Sequence, residues 1–298
     1  LNISKKNKYL FSAAALLIIA GLFIYAFHSP TRSRGSTVDG NTERSEQRVQ
    51  PRVSAPVATL IADRKIDSDV VKRQGPKAFS IVRNKKRPPG DVAKYIDSLL
   101  QRSESGDAVA TYSIYLAALE CKNTLSGSAS RSALAHQASA TGEGYLKGAE
   151  SSLDDCANLA NRPELLNGEW LKKAAEQGSL EAQLMYARDS TSIIGSRQDY
   201  LKDPEKLVQY KKDAARFLEG AAQQGSVDAL LAIAGDSQRG IMAPKDPVKS
   251  FAYYMAAQKT GSNVYLDKIV DNYSSTLSRD QMRAAHEQAE AIYENCCR

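Results

Sequence analysis

Four cysteines, three histidines and one pair of adjacent carboxylates are the residues of this 298-residue chain whose types go beyond packing and simple charge. Cys121 and Cys156 each fall near the end of a predicted helix. In an oxidising compartment they would staple the stretch between them to its surroundings. Closing a loop of 35 residues stabilises by about 3–4 kcal/mol in the chain-entropy view. The alternative is two small buried thiols in a helical core. Cys296-Cys297 lacks the Cys-x-x-Cys spacing of redox and zinc motifs. Adjacent cysteines can bond to each other, bridge to another chain or stay thiols, and the sequence leaves all three open. His28, His136 and His286 are far apart, and His286-Glu287 has no second histidine one turn away to complete a helical zinc site. His286 therefore reads as a solvated helix residue. Nothing fixes Cys121 and His136 as a nucleophile pair, and Asp154-Asp155 reads as solvated charge at a helix end. The chain contains no Ser-x-x-Lys, no Gly-x-Ser-x-Gly and no phosphate-cradling glycine loop before a lysine. The expectation is a protein that is not an enzyme, with no cofactor and no metal.

The elements that must carry these residues announce themselves by recurrence. Trp170, Ala174, Gly178 and Ala182 are each four apart, with Ser179 directly after the glycine. Phe217, Ala221, Gly225 and Ala229 repeat the spacing, with Ser226 after the glycine. In each copy the aromatic and the first alanine share a helix face. The glycine can take the left-handed conformation that ends a helix, and the serine caps the next one. Tyr253, Ala257 and Gly261 form a weaker copy, and Gly106-Asp107 with Ala110 keeps only the turn and the second helix. The aromatics recur at one position, so they read as core packing rather than a ligand box. The four glycines are 72, 47 and 36 residues apart, an irregular period whose last value suits a repeat protein.

These residues resemble the Sel-one-like repeat family, a relative of the tetratricopeptide repeat. Its pattern passes through an Ala-Ala-Glu-Gln-Gly turn, matched at residues 174–178. The loop-and-helix part of the family pattern is matched once, from Gly240 through Asp246 to Tyr254. The resemblance covers residues 91–276 and lapses at 122–167 and 190–210. It implies an all-α fold, an α/α solenoid of irregular helix pairs, and an adaptor or scaffold function. A capping helix follows at 277–298, opened by Ser278-Arg-Asp-Gln281. No period-2 alternation is sustained, so no strand is expected.

The net charge of +6 is unevenly spread. Bases exceed acids between Thr31 and Arg87, with a knot at Arg83, Lys85, Lys86 and Arg87, whereas acids slightly exceed bases from Asp91 onward. The basic stretch carries one aromatic, Phe79, where a nucleic-acid face would interleave several, and no nucleic-acid partner is expected. Residues 9–27 form an uncharged apolar run behind Lys5, Lys6 and Lys8. The run nearly spans a hydrocarbon core of about 30 Å and lacks a small-x-small exit. It reads as an uncleaved transmembrane anchor with residues 1–8 in the cytoplasm and the repeats in the periplasm. The rival is a signal peptide and a secreted product. Residues 28–90 read as a basic Pro/Ser-containing linker, mostly disordered, in which Val57 to Val82 regains some apolar periodicity.

Together these readings give a membrane-anchored interaction module on the envelope side, its partner an unidentified protein or peptide. Polar residues outside the repeat pattern, Gln183, Arg188 and Asp228, are the candidate contacts. The alternative is a cell-envelope hydrolase or other enzyme on the same solenoid.

Overall fold

Short polar side chains followed by apolar stripes start most of the helices. The computed structural model describes residues 55–82, 85–126, 142–261 and 264–298. The expected residues 1–8, the anchor at 9–27, the linker as far as 54, Arg83 and His136 lie outside that set. Among the described residues no helix is long and apolar enough to cross a membrane.

The elements, in order, are α1 (Val57–Ala62), β1 (Val71–Arg73), β2 (Phe79–Ile81), α2 (Val92–Glu104), α3 (Ala108–Leu125), α4 (Gly142–Ala160), α5 (Pro163–Leu166), α6 (Trp170–Glu176) and α7 (Leu180–Arg188). There follow α8 (Ser190–Ile194), α9 (Arg197–Lys202), α10 (Pro204–Gln223), α11 (Val227–Arg239), α12 (Pro247–Thr260), α13 (Val264–Ser274) and α14 (Arg279–Cys296). Asp91 accepts from the N–H groups of Ala93 and Lys94 to open α2. Asp203 and Asp246 open α10 and α12, each with proline at the first helical position. Ser278 and Gln281 close a reciprocal capping box on α14.

Three helix pairs share one turn. Gly106, Gly178 and Gly225 have φ of 89°, 95° and 95°. After each, the next N–H reaches back over the turn: Asp107 to the Arg102 carbonyl at 3.0 Å, Ser179 to Ala174 at 2.9 Å and Ser226 to Ala221 at 3.1 Å. That is the six-to-one bond of a Schellman turn. The same residues then cap α3, α7 and α11 by accepting from the N–H of Ala110, Ala182 and Ala229. Ala174, Ala182, Ala221, Ala229 and Ala257 are all fully buried. Gly261, expected to match, does not: its φ of 171° is extended backbone that any residue adopts.

Residues 57–81 correct the expectation of a mostly disordered linker and of a fold without strands. Val57, Leu60, Ile66, Val70, Ala78 and Phe79 are at most 3% exposed and pack into the core with α10, α11 and α12. β1 and β2 pair antiparallel with Val71 opposite Ile81. Strands of three residues are too short to display alternation, which is why the sequence concealed them. The segment forms a strap along the row of turns. Arg64 meets Asp107 at the first turn at 3.5 Å. At the second, Lys65 Nζ donates to the Gln177 carbonyl at 2.6 Å and the Leu180 N–H donates to the Lys65 carbonyl at 2.9 Å. At the third, the Phe79 N–H donates to the Gly225 carbonyl at 3.0 Å. At the fourth, the Thr260 hydroxyl, which donates to the Ala257 carbonyl at 2.7 Å, lies 3.3 Å from the Gln74 side-chain oxygen.

Three further cores run along the stack. The first joins α2, α3, α4 and α5 around Ile96, Ile114 and Leu159. The second, around Tyr186, Tyr210 and Phe217, joins α3, α6, α7, α8 and α10. The third joins α12 to α14 through Phe251, Ala285 and Ala289.

Candidate functional site

The two stretches that depart from the repeat pattern both contribute to the wall of one hollow. In the first, Cys121 Sγ is bonded to Cys156 Sγ, and both residues are fully buried. The bond ties the end of α3 to α4. Arg87 reinforces it by reaching Glu120 on α3 at 3.0 Å and Asp155 on α4 at 2.9 Å. The chain then turns through α5 so that Leu166 and Gly168 face α3. In the second departure, Asp189 caps α8 by accepting from the Ser192 N–H at 3.1 Å, and the same side chain accepts from the Tyr115 hydroxyl at 2.8 Å. This holds Ser192, Ile193 and Ile194 across the opening.

Between them is a hollow of about 130 Å³. Tyr115, Trp170, Tyr186 and Tyr210 form its aromatic walls, with Leu119 and Ile194 beside them. Each ring is held. The Trp170 Nε1–H donates to the Leu165 carbonyl at 2.7 Å, and the Tyr210 hydroxyl donates to the Ala187 carbonyl at 3.0 Å. Tyr186 stacks on Tyr210 at 5.5 Å and meets Phe217 edge-on at 5.0 Å. Burial pushes the Tyr186 and Tyr210 hydroxyls up to about 12, so both remain neutral donors at neutral pH. Lys122, Lys172 and Lys206 stand on the rim with Glu169 and Asp213. Arg216 and Gln209 already engage Asp213. Among the described residues, Lys122 and Lys172 have no ion-pair partner.

A second, wider hollow of about 600 Å³ lies on the other side of Tyr210 and Ile194. Arg188, Tyr200, Leu231, Asp236, Arg239 and Met242 line it. Tyr200 belongs to α9, so the second departure contributes here too.

The expected contact residues divide. Arg188 is exposed at the wider hollow. Gln183 is buried, with its amide donating to the Ala175 carbonyl at 3.2 Å. Asp228 accepts from the Ile81 N–H at 2.7 Å and fastens the strap. Gln183 is thus corrected from a surface contact to an internal residue, and Asp228 is half-buried and engaged by the strap. Polarity alone marked them, and both lie near the start of a helix that the strap or the preceding turn covers. Trp170 is corrected in part. It packs between the first and second cores and also forms a wall of the smaller hollow. Phe217 is buried, and Tyr253 is half-buried with Lys249 5.9 Å from its ring.

Two residues of the basic knot, Lys85 and Arg87, are paired within the fold. Lys85 meets Asp67 at 2.7 Å, and Arg87 clamps α3 and α4. Asp155, expected to be solvated charge, is thereby one side of an ion pair. His286 is exposed and edge-on to Phe251. Cys296 and Cys297 are bonded to each other and buried in the core that holds the strap.

Glu181 escaped sequence reasoning, since an acid in the first turn of a helix is ordinary. It is 4% exposed, and its Oε1 has no partner among the described residues. Burial pushes its carboxyl up to about 7, helped by the negative charge of Asp67 and opposed by the Asp67 N–H and by Lys85.

No family model and no curated protein matches the chain. Among solved structures, the chain is similar to a protective antigen present in uropathogenic Escherichia coli strains displaying an SLR fold, with a TM-score of 0.36 and 19% identity. The match covers 68% of this chain and 41% of that one.

Proposed function

We propose that the chain is a helical-repeat interaction module, tethered to the membrane through residues 9–27, whose hollows on either side of Tyr210 receive a protein or peptide on the envelope side. The observation that carries this reading is that both departures from the repeat reach the smaller hollow and the second also reaches the wider one. Stacked helix pairs bury their own core. Leu166 and Ser192 to Ile194 are additions to that scheme, and they line a concavity. The Sel-one-like resemblance implies an adaptor, and two paired disulfides suit an oxidising compartment. A catalytic reading gains no support from Glu181, because that carboxyl faces the strap and lines neither hollow.

The test is a photo-crosslinking residue at position 188, on the lip of the wider hollow, with exposed Gln288 on α14 as the control position. In native membranes, position 188 is expected to yield a discrete adduct that position 288 does not. Identical adducts at both positions, or none at 188, would overturn the interaction reading.

A further inference from the structure

The smaller hollow has the size and the charge to say what enters it. An engineered cavity of about 150 Å³ holds one benzene molecule, and this hollow of about 130 Å³ is close to that. It therefore suits one side chain rather than a length of helix. Rigid aromatic walls around a single desolvated anchor are the anatomy of an interface hot spot. The rim adds a sign. Asp213 is engaged by Arg216, so three lysines stand against the one remaining rim acid, Glu169, and among the described residues Lys122 and Lys172 have no ion-pair partner.

We infer that the smaller hollow binds one ring-sized apolar side chain of a partner peptide, with a carboxylate next to that side chain held by Lys122 and Lys172. This rests on the interaction reading and narrows it: the partner is acidic around an apolar anchor. A basic peptide would meet three lysines at the rim against Glu169 and an Asp213 already engaged by Arg216. A lipid tail would need a longer channel. A charged sugar would leave the apolar walls around Leu119 and Ile194 without a match.

The probe is 3-phenylpropionate, one ring and one carboxylate, with 3-phenylpropylamine and 3-phenylpropanol as its cationic and neutral counterparts. Trp170 is the only tryptophan of the chain and stands in the wall, so its emission reports occupancy directly. Titration of the full chain is expected to give a saturable change with the acid, with a Kd in the millimolar range for so small a ligand. The amine and the alcohol should bind at least about tenfold more weakly, a difference of 1.4 kcal/mol. Lys122→Glu together with Lys172→Glu should abolish the preference for the acid. Both lysines lie on the rim, so the fold should tolerate the change, and an unchanged melting curve verifies it. Leu119→Phe, which thickens one wall, should abolish saturation by all three probes. Equal or tighter binding of the amine or alcohol overturns the inference, as does a response to none of them. Such a failure leaves the broader interaction reading standing if position 188 still gives its discrete adduct.

Discussion

Asp228 and Glu181 occupy the same place in successive repeats, three residues after the turn glycine, and both face the strap. Asp228 accepts an N–H from the strap. Glu181 lies beside Asp67 with one oxygen unpartnered. The cost of burying that charge makes stability depend on pH. The Glu181 carboxyl is raised from 4.5 to about 7 in the fold, so folding favours its protonated form. The contribution is complete below the unfolded pKa and is lost as pH rises through the folded one. Stability should therefore fall by about 2–3 kcal/mol between roughly pH 5 and pH 8. Urea midpoints measured across that range would show the slope, and Glu181→Gln should remove most of it. A variant with the parent's slope would mean that Glu181 does not carry the effect.

At the scale of the element, the turn glycines share a conformation but not surroundings. A Cβ on Gly106 would meet nothing within 4 Å. On Gly178 it would come 2.9 Å from Lys65 Nζ, the far end of a side chain that can swing away. On Gly225 it would fall 2.2 Å from the Lys77 carbonyl oxygen, which is backbone of the strap. Alanine at position 106 should cost only the left-handed strain, about 1–2 kcal/mol. At 178 the cost should be slightly larger. At 225 it should at least double, because the strap must lift and the Phe79–Gly225 hydrogen bond goes with it. Thermal melts of the three variants test the order, and equal losses would show that the strap does not press on the third turn. The helix pairs were readable because their signals are local: a glycine, a cap one residue on, and an alanine three beyond it. The strap was readable only in part: the apolar periodicity of Val57 to Val82 marked it, but its place could not be read, since it is held by groups more than a hundred residues away. The smaller hollow was hidden for a related reason. Its walls come from residues near 115, 168, 193 and 210, and only folding brings those together.

For the whole molecule, the Cys121–Cys156 bond and the Arg87 clamp hold α4 against the first helix pair at the end of the stack. Replacing both cysteines by serine should lower stability by about 3–4 kcal/mol in the chain-entropy model. The loss should be concentrated in α4 and α5. Hydrogen exchange would then show lost protection over 150–168, with α11 and α12 close to the parent. Uniform loss would mean that the stack melts as one unit and that the bond has no local role.

The strap also sets the order of events when the chain is made. Its contacts join Lys65 to Gln177, Ile81 to Asp228 and Gln74 to Thr260, across 112, 147 and 186 residues. A solenoid otherwise folds from near neighbours outward. Here the strap is made before the turns along which it binds, and the final one is not complete until Thr260 has been synthesised. Until α10 and α11 have formed, Phe79, Val70 and Ile66 lack most of the core they enter and stay open to other sticky surfaces. Contacts of such long sequence separation slow folding. The strap thus fastens the repeats only at the end, leaving an interval in which a chaperone can hold the nascent chain.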